Sequence, residues 1–378
     1  MSTTVLMTTD TVGGVLTYTA ELVRALAPDA DVVLATMGEP LREDQRALLS
    51  AAGAKSVHDG GYALEWMPGR ADQVQAAGQW LLELEARVRP DLVHLNGYAH
   101  GALPWSVPRV VVGHSCVLSW WRAVHGVPAP PAWDGYRAAV VDGLNAADAV
   151  VAPTQTMLAQ LADLYGEWPG EAIVIHNGSS AVPWSDQSPE SPQSPQSPQS
   201  PQSPKAPFVL GAGRLWDQAK NVVALDRAAE GLPWPVLVAG RLEAPDGLPT
   251  PTSSACPLGE LTASELAALR RRAAVFAAPA LYEPFGLAIL EAAQDACALV
   301  LGDIPSLREL WDGAARFVAP HDHRTLHAVL SELTRDAAQR EQLGRAARRR
   351  ARQFGTETMG GAYRELYTRL STRTGALR

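Results

Sequence analysis

A chain of 378 residues with 47% hydrophobic residues is long enough for two domains with full cores, and its composition is ordinarily globular. A formal net charge of −8, with 10 Lys/Arg against 19 Asp/Glu in residues 1–184, argues against a nucleic-acid partner and against an anionic membrane face. Three widely spaced cysteines, Cys116, Cys256 and Cys297, match no metal-ligand pattern and are expected as buried, reduced thiols.

The first apolar run, Val5-Leu6-Met7, predicts a strand. It leads into Thr9-Asp10-Thr11-Val12-Gly13-Gly14-Val15, a glycine turn opening a helix with apolar positions at Val15, Leu22, Val23 and Leu26. Asp29-Ala30-Asp31 has the spacing of a D-x-D metal signature, but it stands between Pro28 and the next apolar run, where a turn favours Asp. Further strands are expected at Val32–Leu34, Leu92–Leu95, Val110–Val112, Ala149–Ala152 and Ile173–Ile175, alternating with helical patterns. Such alternation predicts a parallel, doubly wound sheet. His114 follows the strand Val110–Val112 on the side where open α/β sheets bind ligands. Trp105, Trp120, Trp121 and Trp133 cluster after cleft-facing strands. They can stack on an acceptor or complete a core.

Residues 185–204, rich in Ser-Pro-Gln repeats, predict a disordered linker, since Pro joins neither helix nor central strand and Ser and Gln bury little apolar area. The second half repeats the α/β style at Phe208–Leu210, Val236–Ala239, Val275–Ala277, Leu299–Leu301 and Phe317–Val318. Gly211-Ala212-Gly213 could open a dinucleotide fingerprint, but Trp216 stands where the third glycine belongs. Instead Arg214 and Lys220, a planar fork and a point charge six residues apart, suit a diphosphate. Tyr282-Glu283-Pro284-Phe285-Gly286-Leu287 then enters an apolar helix, with Pro284 at a first-turn position, Glu283 in the preceding loop and Glu291 about two turns inside. The amides of Phe285, Gly286 and Leu287 are placed to donate to hydroxyls or a diphosphate. His321-Asp322-His323 lacks a third ligand at suitable spacing and is expected as a surface turn. The last helix has apolar residues at Met359, Tyr363, Leu366 and Leu370.

In this order, Gly13-Gly14, Gly113-His114-Ser115, His176-Asn177-Gly178, Gly211-Ala212-Gly213-Arg214, Glu283 with Glu291, and Ser306-Leu307-Arg308-Glu309-Leu310 resemble the retaining family 4 glycosyltransferases with the GT-B fold. The resemblance covers nearly the whole chain. It implies two Rossmann-like domains facing each other across a cleft: 1–184 binding the acceptor, 205–355 binding the nucleotide sugar, and a C-terminal helix, 356–371, packing back on the first. It also implies that Arg214 and Lys220 grip the donor diphosphate, Glu283 faces the donor sugar, Glu291 holds the ribose hydroxyls, and His114 lies beside the reacting sugar. Gly14 would bring an amide to the phosphates, with Gly13 in the same turn, and the base would be read near Arg241 and Leu258, within Cys256–Gly259. Gln294-Asp295-Ala296-Cys297 departs from the family, which usually shows a Gly and a Pro there.

The resulting expectation is a retaining, metal-independent glycosyltransferase without a cofactor, using a nucleotide-diphosphate sugar and a sugar or small-molecule acceptor bound near Trp120 and Trp121. A cytoplasmic setting is expected, with no integral membrane contact and at most weak peripheral contact, because neither a signal-peptide pattern nor an apolar run approaching ~20 residues is visible. The rivals are a sugar-nucleotide epimerase on the same fold, which needs acid/base groups on both faces of the sugar, and a noncatalytic sugar-nucleotide-binding protein.

Overall fold

The computed structural model describes residues 3–180, 205–243 and 252–375. The expected linker at 185–204 lies outside them. The first sheet contains β1 (Thr3–Asp10), β2 (Ala30–Met37), β3 (Ser56–Asp59), β4 (Leu92–Leu95), β5 (Arg109–Val112), β6 (Ala149–Ala152) and β7 (Glu171–Val174), all parallel, in the order β3-β2-β1-β4-β5-β6-β7. The second contains β8 (Ala206–Ala212), β9 (Val236–Ala239), β10 (Cys256–Gly259), β11 (Ala273–Ala278), β12 (Ala298–Gly302) and β13 (Arg316–Val318), also parallel, in the order β10-β9-β8-β11-β12-β13.

Strand side chains alternate between the faces, so each sheet has two cores. Val5 and Met7 pack on one side of the first sheet and Leu6 on the other, while Phe208 and Leu210 oppose Val209 in the second. The helices of the first half are α1 (Gly14–Leu26), α2 (Glu43–Ala51), α3 (Ala71–Val88), α4 (Val117–His125), α5 (Asp134–Ala146) and α6 (Gln155–Tyr165). Those of the second are α7 (Val222–Ala229), α8 (Ala263–Arg272), α9 (Leu287–Gln294), α10 (Pro305–Trp311), α11 (His323–Arg335) and α12 (Ala337–Ala351). The last, α13 (Thr356–Gly375), buries Met359, Tyr363, Leu366 and Leu370 in the core of the first sheet, and Tyr363 meets the Tyr18 hydroxyl of α1 at 2.6 Å.

Several local expectations change. β3 and β10 are edge strands built from Ser-Val-His-Asp and Cys-Pro-Leu-Gly, neither with the apolar run that marks a buried strand; Cys256 is exposed rather than buried for the same reason. Asp31 lies within β2 and pairs with Lys55 at 2.5 Å. Helix α9 begins at Leu287, so Pro284 precedes it by three residues and Glu291 sits only about one turn inside. Past its end Ala296 adopts φ 58°, the left-handed conformation in which the family's glycine would be free of Cβ strain. Asp322 caps α11 through the Thr325 amide at 2.9 Å, so His321–His323 is a helix entrance.

Candidate active site

In both sheets the strand order reverses beside the first strand, between β1 and β4 and between β8 and β11. Loops leaving such a switch point diverge and open a crevice at the carboxyl ends of the strands. Asp10 and the glycine turn leave β1, Asn96 follows β4, Arg214 to Lys220 follow β8, and Ala280 to Gly286 follow β11.

The two halves meet at Gly13. Its φ of 98° favours glycine, and a Cβ there would lie 2.9 Å from Nη1 of Arg214. A Cβ on Gly14 would lie 3.8 Å from Leu287 Cδ1. The glycine turn of the first sheet therefore abuts both the guanidinium and the start of α9. Lys220 Nζ donates to Glu283 Oε2 at 2.5 Å, with both side chains largely buried. Gly286 caps α9 with φ 85°, and the first amides to bond within the helix are those of Ile289 and Leu290, both to Gly286 O at 3.0 Å. By helix geometry, the amides of Leu287 and Ala288 are left for other acceptors. The Phe285 side chain points away into the core against Phe354 and His176.

Glu291 Oε2 accepts from Arg270 Nη1 at 2.5 Å, and Arg270 Nε donates to Asp295 at 2.6 Å. Burial raises the Glu291 pKa, with Arg270 opposing. Arg241 is exposed in the loop after β9, where its carbonyl accepts from the Trp216 amide at 3.3 Å, and Leu258 is exposed on the edge strand β10.

His114 is partly buried, with Nε2 2.8 Å from Asn96 Oδ1 and its ring edge-on to Tyr18 at 4.4 Å. Burial, then the neighbouring His94, lowers its pKa to about 3, leaving a neutral imidazole at pH 7. Asp10 accepts from the Val12 amide at 2.5 Å and shapes the glycine turn; burial raises its pKa to about 7 against the pull of that amide and of Arg214.

Helix α4 holds two loops of the second domain to the first. Trp120 Nε1 donates to Asp217 Oδ1 at 2.9 Å, and Asp217 Oδ2 accepts from Arg214 at 3.1 Å. At the start of α4, the Cys116 amide and the Ser119 hydroxyl reach Tyr282 Oη at 3.2 and 2.7 Å. Trp120 therefore spans the domain junction, with Trp121 and His125 packed edge-on beside it. Trp105 is core, its indole N–H satisfied by His100 O at 2.8 Å. A cavity of about 280 Å³ at this seam is lined by Val124, Leu215, Trp216, Gln218 and Leu281 among others. Farther along, Glu309 of α10 accepts the Gln155 and Thr156 amides at 2.7 and 2.8 Å, capping α6 from the other domain. Among the described residues no group of three or more His, Cys, Asp or Glu is placed to hold a metal ion, and no helix is long and apolar enough to cross a membrane.

The structure thus brings Gly13, Gly14, Arg214 and Leu287 together, joins Lys220 to Glu283, sets Arg241 against the Arg214–Lys220 loop through the Trp216 amide, and leaves Leu258 on the edge strand β10. Asp10, Asn96, Asp217, Arg270 and Tyr282 are members of this network that spacing did not single out. Asp10 alone carried a local signal, a carboxylate ending an apolar strand just before a glycine turn.

Two family models match end to end: Glycosyltransferase Family 4 over residues 12–180 and Glycosyl transferases group 1 over 195–350. The chain is 29% identical to a D-inositol 3-phosphate glycosyltransferase of Kineococcus radiotolerans, over 94% of this chain and 90% of that protein. It is 28% identical to a glycogen synthase of Mycobacterium tuberculosis, over 87% and 81%. Among solved structures, a sucrose-phosphate synthase from Thermosynechococcus elongatus superposes with a TM-score of 0.76 at 18% identity, covering 98% of this chain and 100% of that one. HepE of Anabaena, solved with UDP and glucose, superposes with a TM-score of 0.71 at 16% identity, covering 97% and 100%. The fold is that of the GT-B glycosyltransferases.

Proposed function

We propose a donor and a mechanism for a chain that belongs to the family 4, group 1 glycosyltransferases: it moves a sugar from a nucleotide diphosphate to a sugar or small-molecule acceptor, with retention and without a metal. The observation that carries this reading is the approach of Gly13 to Arg214, beside Lys220 and the start of α9. Donors from both domains there converge on one spot suited to a diphosphate. The nucleotide and sugar bound by HepE, on the same fold, agree with such a donor.

In this reading the bond from the anomeric carbon to the diphosphate breaks. Arg214, Lys220, the Gly14 amide and the amides of Leu287 and Ala288 stabilise the charge that develops on the leaving oxygen. The acceptor oxygen bonds to the same face of the sugar, and its proton passes to a donor phosphate oxygen. Neutral His114 lies beside the sugar without adding a positive charge next to an oxocarbenium-like carbon. Glu283 faces the sugar and exchanges part of its bond to Lys220 as the diphosphate departs. Glu291, already oriented by Arg270, accepts from the ribose hydroxyls. Arg241 and Leu258 border the base, while Trp120 and Trp121 flank the acceptor.

Incubating the protein with individual sugar nucleotides, with and without a chelator, and following free nucleotide and anomeric configuration tests this. Slow hydrolysis that an acceptor accelerates, with the anomer kept and no chelator effect, is expected. An isomeric sugar nucleotide means an epimerase, and no turnover means a binding protein. Glu291→Ala should mainly weaken affinity for the bare nucleotide diphosphate, whereas Glu283→Ala should spare it and slow transfer. Equal loss of nucleotide affinity in both variants overturns the assigned roles.

A further inference from the structure

Asn96 lies between two histidines, and its surroundings leave its amide one orientation. Nδ2 donates to the Thr8 carbonyl at 2.7 Å, and a carbonyl only accepts, so Oδ1 must face the other way. That oxygen meets His114 Nε2 at 2.8 Å and His94 Nε2 at 3.1 Å. An amide oxygen cannot donate, so both rings must carry a hydrogen on Nε2. Burial keeps both rings neutral, with pKa values lowered to about 3 for His114 and about 4 for His94. Each ring then has a single N–H, and Nδ1 is a lone pair. On His94 that lone pair is taken by the Tyr367 hydroxyl of α13 at 2.6 Å, which must donate.

We propose that Asn96 is a positioning residue for His114: its amide, oriented by Thr8 and shared with His94, holds the ring as the Nε2–H tautomer and makes Nδ1 purely an acceptor. Its bearing on transfer rests on the place proposed for His114 in the reaction. The Asn96 backbone N–H also donates to Thr8 Oγ1 at 2.9 Å, so β1 holds both the main chain and the side chain of this residue. The groups facing the His114 ring are Tyr18 from α1, at 4.4 Å, and His94 from β4; Tyr18 is in turn bonded to Tyr363 of α13. The helix that closes the chain therefore supports the histidine site through two tyrosines.

The test uses the full chain labelled with ¹⁵N-histidine, with His114 and His94 assigned by loss of signal in His114→Gln and His94→Gln, and the protonated nitrogen read from long-range ¹H–¹⁵N correlations. Wild type should show His114 protonated on Nε2, and Asn96→Leu should show a mixture of tautomers. Asn96→Asp sets a carboxylate on the Nε2–H and should raise the pH of second-proton uptake by about one to three pH units. A proton on Nδ1 in wild type, a wild-type pattern kept by Asn96→Leu, or an unmoved titration in Asn96→Asp overturns the proposal. If Asn96→Leu does not fold, wild type and Asn96→Asp decide. None of these readouts needs a substrate. Transfer undiminished in His114→Gln would remove His114 from the reaction while leaving the tautomer result standing.

Discussion

Asp10 converts burial into a pH dependence whose size can be worked out. Burial pushes its carboxyl up to about 7 in the fold, against the ordinary 3.8. Because the folded pKa is the higher one, its stabilising contribution is complete below pH 3.8 and is lost as pH rises through about 7. Each pH unit between those values costs about 1.4 kcal/mol, so about 3 kcal/mol disappears between pH 5 and pH 9. Asp10→Asn keeps an oxygen for the Val12 amide and has no charge to bury. His94 and His114 act in the opposite sense: their lowered pKa values give stability that is full above pH 6.5 and lost as pH falls toward 4 and 3. They are present in both proteins, so the difference between wild type and Asp10→Asn isolates Asp10. Urea unfolding followed by Trp fluorescence at pH 5, 7 and 9, at one ionic strength, should show Asp10→Asn gaining about 3 kcal/mol relative to wild type across that range. A constant difference would mean that Asp10 titrates as an ordinary carboxylate, and the account of the glycine turn as a site of buried charge would be wrong.

Lys220→Ala should lower turnover by about 10²–10³ because its contact strengthens as the diphosphate leaves; a rise confined to the donor Michaelis constant would restrict Lys220 to ground-state binding. Glu309→Ala removes the acceptor of the Gln155 and Thr156 amides, leaving Thr154 on the Met157 amide, and should cost about 1–2 kcal/mol of thermal stability, with an unchanged melting curve counting against the cross-domain cap. Trp120→Phe keeps an aromatic ring and removes the donor to buried Asp217, so a double-mutant cycle with Asp217→Ala should give a coupling of about 1 kcal/mol. Additive effects would mean that α4 does not engage the Arg214 loop through this bond.

Strand by strand, the parallel architecture was legible because a strand buried on both faces must be a continuous apolar run, and Val5-Leu6-Met7 or Leu299-Val300-Leu301 are such runs. Edge strands escape that rule, since Ser56–Asp59 and Cys256–Gly259 bury one face at most and show no apolar run. Candidate charges were legible where a loop concentrates them, as in Arg214 with Lys220 and Glu283 with Glu291, because charge near a strand end or helix start has a short-range cause. What the tertiary structure decided is partnership. Gly13 against Arg214, Asp10 beside that pair, Arg270 on Glu291, Trp120 on Asp217 and Asn96 on His114 join residues from about twenty to about two hundred positions apart. Sequence by itself determined which residues could carry charge or close a turn, because backbone conformation and side-chain type are local properties. Desolvation and hydrogen-bond direction depend on what the meeting of the two domains and the return of α13 bring together, and these raise the Asp10 pKa to about 7 and keep His114 neutral.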